Sequence, residues 1–454
     1  MNCRMTVSLG TDVSDGYVLR YETKSTAEND AVPVKEHCEF TSMAVALETP
    51  QQIGERLAAQ VIATLEAKNE RPDRIACDLY PKFPTTYAAE VLSEHYQVPM
   101  LRMQKCHREI LEAMDGQMNV EAEAMHAASH STAQSETRTP SEADAALDAR
   151  KAVLGICLDD LSYGSDGTLW GGEILEIAGE GFTRLASIHP YQLIGTNMEL
   201  HSSTPWQTAV SMLYDLARMS HNEDEAIRDF VAKQEASEKV HLLDLCSLND
   251  ARAQYIAQDR NKNTTRSTAA SGLFDAAAAI LGFQRTTTPT GRTPMEALAE
   301  AAEAFEHGRK TKSQIDALYA KLGKLIAAAE EMEDPTLEPG DLWEDTDDGA
   351  FSETSADDSQ DILHTEQLIR LLADERIRYL AGHGKRNYDH PLNLKNPDGG
   401  IADENSRLLA WFFLDALVAQ ALHYCRKHSC KKIMFAGHYL TSGYLPAVFN
   451  RRSS

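Results

Sequence analysis

Residues 153–175 read Val-Leu-Gly-Ile-Cys-Leu-Asp-Asp-Leu-Ser-Tyr-Gly-Ser-Asp-Gly-Thr-Leu-Trp-Gly-Gly-Glu-Ile-Leu. The opening run, Val153 to Leu158, has the length and β-branched content of a buried strand, and it ends in paired acids, Asp159 and Asp160. A glycine-spaced turn, Tyr163-Gly164-Ser165-Asp166-Gly167, leads into a second apolar run holding Trp170 and Gly171-Gly172. On spacing alone this is a β-hairpin with a Ser-Asp-Gly turn. It also has the makings of an anion nest, because glycines let successive backbone N–H groups close on a phosphate. Asp159 or Asp160, at a strand end, is placed to orient the metal that accompanies a nucleotide.

Outward from this hairpin, strands alternate with helices. Met5–Leu9 and Tyr17–Tyr21 form an opening hairpin, and Thr49-Pro50 starts a helix with Ile53, Leu57, Val61, Ile62 and Leu65 on one face. A strand at Arg74–Leu79, a helix at Thr85–His95 and a strand at Val98–Met103 follow. Downstream, Gly181–Pro190 is a strand, Pro205 opens a helix, and a helix at Asn405–His428 precedes a strand at Lys432–Ala436. The alternation predicts an α/β sheet protein. Arg266 to Gly272 is a Ser/Gly-rich loop that enters an alanine-rich helix carrying Asp275. The exposed N–H groups of such a helix suit a phosphate or ribose, although serine capping with an acid in the first turn explains the pattern equally well.

The 454 residues carry a formal net charge of −25, which argues against nucleic acid or an anionic membrane as partner. Glu330 to Asp361 holds fourteen acids and no Lys or Arg, so this one stretch supplies more than half of the excess and reads as a solvated linker. Residues 116–150, rich in Ala, Ser, Thr and Glu, read as a flexible insert. The eight cysteines form no C-x-x-C pair, and several sit in apolar runs, as expected of reduced thiols in the cytoplasm. The most apolar helix, Leu408–Cys425, is broken by Asp415 and Gln420 and reads as too short to span a bilayer.

The central hairpin resembles the nucleotide-binding hairpin of the hydrogenase-maturation carbamoyltransferases (HypF), D-G-T-G-Y-G-x-D-G-x-x-W-G-G-E. Asp159, Tyr163, Gly164, Asp166, Gly167, Trp170, Gly171, Gly172 and Glu173 match, whereas Asp160-Leu161-Ser162 replaces G-T-G. Asp78-Leu79-Tyr80-Pro81 resembles the family's D-L-H-P, and Leu273-Phe274-Asp275-Ala276 its L-F-D-A. Where the family has H-H-H-A-H, with two metal-ligating histidines four residues apart, this chain reads Met103-Gln104-Lys105-Cys106-His107. His126 and His130 have the same spacing and are a weaker, relocated candidate pair. Ala436-Gly437-His438 keeps one glycine of the family's S-G-G, and the same tail also resembles that of eukaryote-type pantothenate kinases.

The resemblance implies a bilobed actin/sugar-kinase-like fold, a duplicated ribonuclease H-like architecture. Residues 1–115 would form one lobe and 151–329 most of the other, with 116–150 an insert, 330–361 a disordered linker and 362–454 completing the second lobe. It implies ATP-dependent transfer of carbamoyl from carbamoyl-adenylate to a thiol or hydroxyl, typically on an acceptor protein. Tyr163, Gly164, Asp166, Gly167, Gly171, Gly172, Asp275 and Gly437 would hold ATP or carbamoyl-adenylate. His107 and Asp159 would be catalytic and would hold a divalent metal, Fe, Zn or Mg. The acylphosphatase-like, zinc-finger and carbamoyl-adenylate-forming segments of full-length relatives find no match here, so activated carbamoyl is expected from elsewhere. Two alternatives stay open: a non-catalytic descendant that binds nucleotide or a partner, and a small-molecule kinase of the same superfamily.

Overall fold

The computed structural model describes residues 3–9, 17–23, 34–38, 49–114, 153–178, 181–194, 205–218, 265–283, 292–305, 309–332, 361–383, 403–428, 432–441 and 443–453. The whole insert 116–150, with His126 and His130, and nearly all of the acidic stretch lie outside the described residues.

Strands β1 (Cys3–Leu9), β2 (Tyr17–Thr23) and β3 (Val34–Cys38) form an antiparallel meander. β4 (Arg74–Asp78) joins parallel to β1, and β5 (Met100–Met103) joins parallel to β4, which gives the order β3-β2-β1-β4-β5. The helix Pro50–Lys68 precedes β4 because Thr49 caps it, accepting from the Gln52 N–H, while Gln52 reaches back to the Thr49 N–H. Leu57, Val61 and Leu65 from this helix bury against Val7, Leu9 and Leu19 of the hairpin and Leu92 of the helix Pro84–Tyr96.

The second sheet repeats the plan. β6 (Val153–Tyr163), β7 (Leu169–Ala178) and β8 (Gly181–Ile188) form an antiparallel meander, and β12 (Ile433–Ala436) lies parallel to β6. The order β8-β7-β6-β12 therefore matches β3-β2-β1-β4 in sequence and direction. A helix, Glu404–Lys427, again precedes the last strand. Three short strands are added: β9 (Tyr191–Leu193), β10 (Thr265–Ser267), which pairs with β7 at Leu169, and β11 (Asp361–Leu363) beside β8.

β6 is apolar along its whole first half because both of its faces are covered. Leu154, Ile156 and Leu158 enter the large core formed with the helices Ala270–Leu281, Pro294–Glu303, Thr365–His383 and Glu404–Lys427. Val153 and Cys157 point the other way, against Cys106 and Ile110 of the helical residues 105–114. Gly155 lets this helix lie directly on the strand, since a Cβ there would overlap Ile110.

The helix Glu404–Lys427 lies within one residue of the expected Asn405–His428 and extends beyond the apolar run Leu408–Cys425 at both ends. It is the one helix among the described residues long and apolar enough to cross a membrane, but 83% of that apolar window is buried inside the fold. Its apolar character is that of a central core helix, with Phe412 and Phe413 fully enclosed. Cys77, Cys106, Cys157 and Cys425 are buried thiols outside any disulfide.

Candidate functional site

The β6–β7 hairpin does not pair evenly to its tip. Leu158 faces Gly172 and Ser162 faces Trp170, so Asp159, Asp160 and Leu161 bulge out of the ladder. This bulge stands where the family's G-T-G would be. Asp159 is fully buried, and its Oδ1 accepts from the N–H of Asp160 at 2.8 Å and of His438 at 3.3 Å. Its Oδ2 meets the Lys105 ammonium at 2.7 Å. Asp160 is exposed and accepts from the Tyr439 hydroxyl at 2.6 Å.

Gly437 (φ +89°) packs on Leu158 so closely that any Cβ would strike its carbonyl oxygen. Gly171 abuts the bulge, its would-be Cβ lying 2.5 Å from the Asp160 carbonyl and 3.0 Å from Ala269 Cα. Ala269 is the N-cap of the helix that carries Asp275. Asp275 is buried, and burial together with the Asp160 charge raises its pKa well above the usual range. Asp159 and Gly171 of the hairpin, Asp275 and Gly437 are thus gathered at one place from three separate stretches.

Other residues of the hairpin turn inward. Asp166 accepts from the Thr168 N–H and the Trp170 indole N–H (both 2.9 Å) through Oδ1, and pairs with Arg184 at 2.9 Å through Oδ2. Arg184, which carried no signal in the sequence, also donates to Glu173 (3.1 Å) and Thr268 (3.0 Å) and lies 4.0 Å over the Trp170 ring. Glu173 is completely buried and also takes the Gly171 N–H at 2.7 Å, the Cys106 thiol and the Thr268 hydroxyl. Burial raises its pKa and these partners oppose the rise. Gly164 and Gly172 permit close packing against Trp170 and the Thr268 carbonyl, and Gly167 (φ +78°) makes the turn. Asp166, Gly164, Gly167 and Gly172 therefore serve the hairpin's own geometry in this structure.

Tyr163 stacks on Tyr80 with ring centroids 4.6 Å apart at 15°, and so joins the hairpin to the loop after β4. At the N-terminus of the helix Ala270–Leu281, expected to be open to phosphate, Tyr191 lies against Gly272 and donates its hydroxyl to Ala269 O at 3.1 Å. The sequence reading missed this aromatic cap because Tyr191 lies far from the helix in the chain.

The residues around Asp159 differ from those the resemblance supplied. Lys105 and Glu109, one turn apart on residues 105–114, face Asp159, with Lys105 Nζ 3.9 Å from the Glu109 carboxylate. Burial works to lower the Lys105 pKa, but the Asp159 and Glu109 charges outweigh it and hold the amine firmly protonated. Burial and then the Asp159 charge push Glu109 up to about 8. Ligand atoms of Glu109, Cys157 and Asp159 lie within 4.8 Å of one another. His107 turns instead to Phe182, with ring centroids 4.6 Å apart; its Nε2 is buried with no hydrogen-bond partner among the described residues, and burial lowers its pKa to about 4. The group formed by Glu109, Cys157 and Asp159 does not include His107.

Residues 155–343 match the family model described as the carbamoyltransferase Kae1-like domain, second subdomain. A carbamoyltransferase HypF homolog of Cupriavidus necator is 26% identical over 242 residues, which cover 53% of this chain and 47% of that protein. Carbamoyltransferase HypF of Rhodobacter capsulatus is 28% identical over 219 residues, 47% of this chain and 22% of that one. Over these residues the chain is similar to HypF. Full-length HypF in its phosphate- and nucleotide-bound form superposes with a TM-score of 0.57 at 15% identity, over 99% of this chain and 50% of that structure. HypF of T. kodakarensis gives a TM-score of 0.53 over 98% of this chain and 43% of that one. The α/β fold is therefore that of HypF, and the chain spans half or less of the length of the HypF proteins it matches.

Proposed function

We infer that this chain is a carbamoyl-transfer module that binds ATP or carbamoyl-adenylate where the β6 bulge, the helix of Asp275 and the Gly437 turn meet. The observation that carries the reading is the convergence of those segments, each of which resembled the family separately. The repeated strand order supports the duplicated ribonuclease H-like, actin/sugar-kinase-like architecture, in which nucleotide lies between two lobes. In this reading an acceptor thiol, of hydrogenase-maturation type, attacks the carbamoyl carbon and AMP departs. Negative charge builds on the carbamoyl oxygen in that step, and fixed hydrogen-bond donors stabilise it. The Asp275 carboxyl, whose burial and nearness to the Asp160 charge favour its neutral form, is the donor on hand.

Calorimetry of ATP and AMP binding to the full chain tests this. Asp275→Asn suits the comparison because it keeps the shape of the side chain while removing the carboxyl group. The expected result is one nucleotide per chain, with affinity weakened in Asp275→Asn and in Asp160→Ala. Nucleotide binding indifferent to both substitutions contradicts the location.

A second reading, a non-catalytic binder, is favoured by Tyr191 capping the helix and Tyr439 holding Asp160. Carbamoyl transfer to an acceptor peptide ending in cysteine separates the two: product supports the first reading, and nucleotide binding without product supports the second.

A further inference from the structure

We propose that Lys105 is the built-in cation of this site: its ammonium takes the place of a divalent ion among Glu109, Cys157 and Asp159, and the native chain binds no metal there. The inference rests on the geometry around Asp159 and does not depend on whether carbamoyl is transferred.

Three ligand atoms, two carboxylate oxygens and one thiol sulfur, stand within 4.8 Å of one another at the end of β6 and on the facing helix turn. Atoms at about 2.0–2.3 Å from a tetrahedral ion stand roughly 3.4 Å apart, so a modest closure would make this a three-ligand site with one open position. What blocks it is Lys105. Its Nζ is 2.7 Å from Asp159 Oδ2 and 3.9 Å from Glu109 Oε1, and its side chain is only 13% exposed.

An ion at that point would meet the ammonium at close range in a region shielded from water, where like charges repel strongly. The site is already balanced as well, since the ammonium meets the buried Asp159 charge that a metal would otherwise have to meet. The helix that carries Lys105 also links the halves of the fold. Lys105 leaves the same helix as Arg108, whose guanidinium donates to Leu9 O of β1 at 3.3 Å, so the charge is held by a rigid element.

The experiment is metal binding by the full chain after chelator treatment, with Zn²⁺, Fe²⁺ and Mn²⁺ followed by native mass spectrometry and calorimetry. Wild type and Lys105→Arg, which keeps the charge, are expected to take up no ion that Cys157→Ser can remove. Lys105→Met is expected to gain one equivalent of Zn²⁺ with a Kd at least about tenfold lower than any wild-type binding, and to lose it in Lys105→Met/Cys157→Ser. One equivalent bound by wild type and abolished by Cys157→Ser overturns the proposal. A folded Lys105→Met chain that gains no ion also overturns it. If Lys105→Met does not fold, the wild-type and Lys105→Arg measurements decide alone.

Discussion

The strands β3-β2-β1-β4 and β8-β7-β6-β12 share order and direction, yet the two sets are held together differently. Around the first, Val7, Leu9 and Leu19 face Leu57, Val61 and Leu65, and polar bonds such as Tyr17 to Thr64 (2.7 Å) sit at the margin. Around the second, a buried acid and an arginine occupy the middle of the hairpin, with Glu173 and Arg184 drawing in Asp166, Thr268 and Trp170. Apolar packing tolerates small shifts in register and rotamer, whereas a charge network is costly to desolvate and works only in one geometry. The difference teaches that the second sheet is built to fix positions. Those positions include the bulge that presents Asp159 and Asp160.

The largest expected effect breaks the second half alone. Arg184→Met leaves Glu173 buried with no counter-charge and should lower stability by about 3–5 kcal/mol in urea unfolding. Hydrogen exchange should show the loss in residues 153–178 and 181–188 while β1 and β4 stay protected. Uniform loss across both sheets would mean the halves are not distinct. Leu57→Ala is the matching test of the first half. It removes a fully buried side chain and should cost about 2–5 kcal/mol, with protection lost first in β1 and β4.

The helix between the halves sets a pH dependence. Glu109 has a folded pKa of about 8 against 4.5, so between those values the folded chain holds a proton that the unfolded chain has released. Its contribution is full below about 4.5, falls as pH rises, and levels off above about 8. His107, lowered to about 4 from 6.5, acts oppositely: stability rises with pH over that interval and is flat above it. Between pH 6.5 and 8 only the Glu109 slope remains of the two, and Glu109→Gln should flatten it in thermal melts taken across that range. An unchanged slope would show that Glu109 is not the group responsible. The smallest effect concerns the contact joining the halves. A double-mutant cycle on Tyr80→Ala and Tyr163→Ala should give a coupling of about 0.5–1.5 kcal/mol, and none if the rings do not stack in solution.

Much of the fold was legible from local chemistry. Thr49-Pro50 with Gln52 announces its helix through a complete capping box, and the alternation in Met5–Leu9 and Tyr17–Tyr21 marks the first hairpin. β3 escaped notice because Val34-Lys35-Glu36-His37-Cys38 does not alternate and has apolar residues only at its ends. β11 escaped because three residues at the end of an acidic run gain their strand character only from pairing with β8. The site divides along the same line. The hairpin and Asp275 could be read from short motifs, whereas Lys105, Arg184, Tyr191 and Tyr439 act on partners distant in the chain and have no local pattern. Lys105 was visible only as the cation in a block where histidines were expected, and its pairing with Asp159 needed the tertiary structure.

Hydrogen exchange on the full chain with and without saturating ATP tests the central claim most directly. If nucleotide sits at the bulge of the second sheet, amides at 158–163, 269–273 and 437–441 slow on binding while those of β1 and β2 do not change. Slowing confined to the first sheet, or no slowing with ATP shown to be bound, would contradict it.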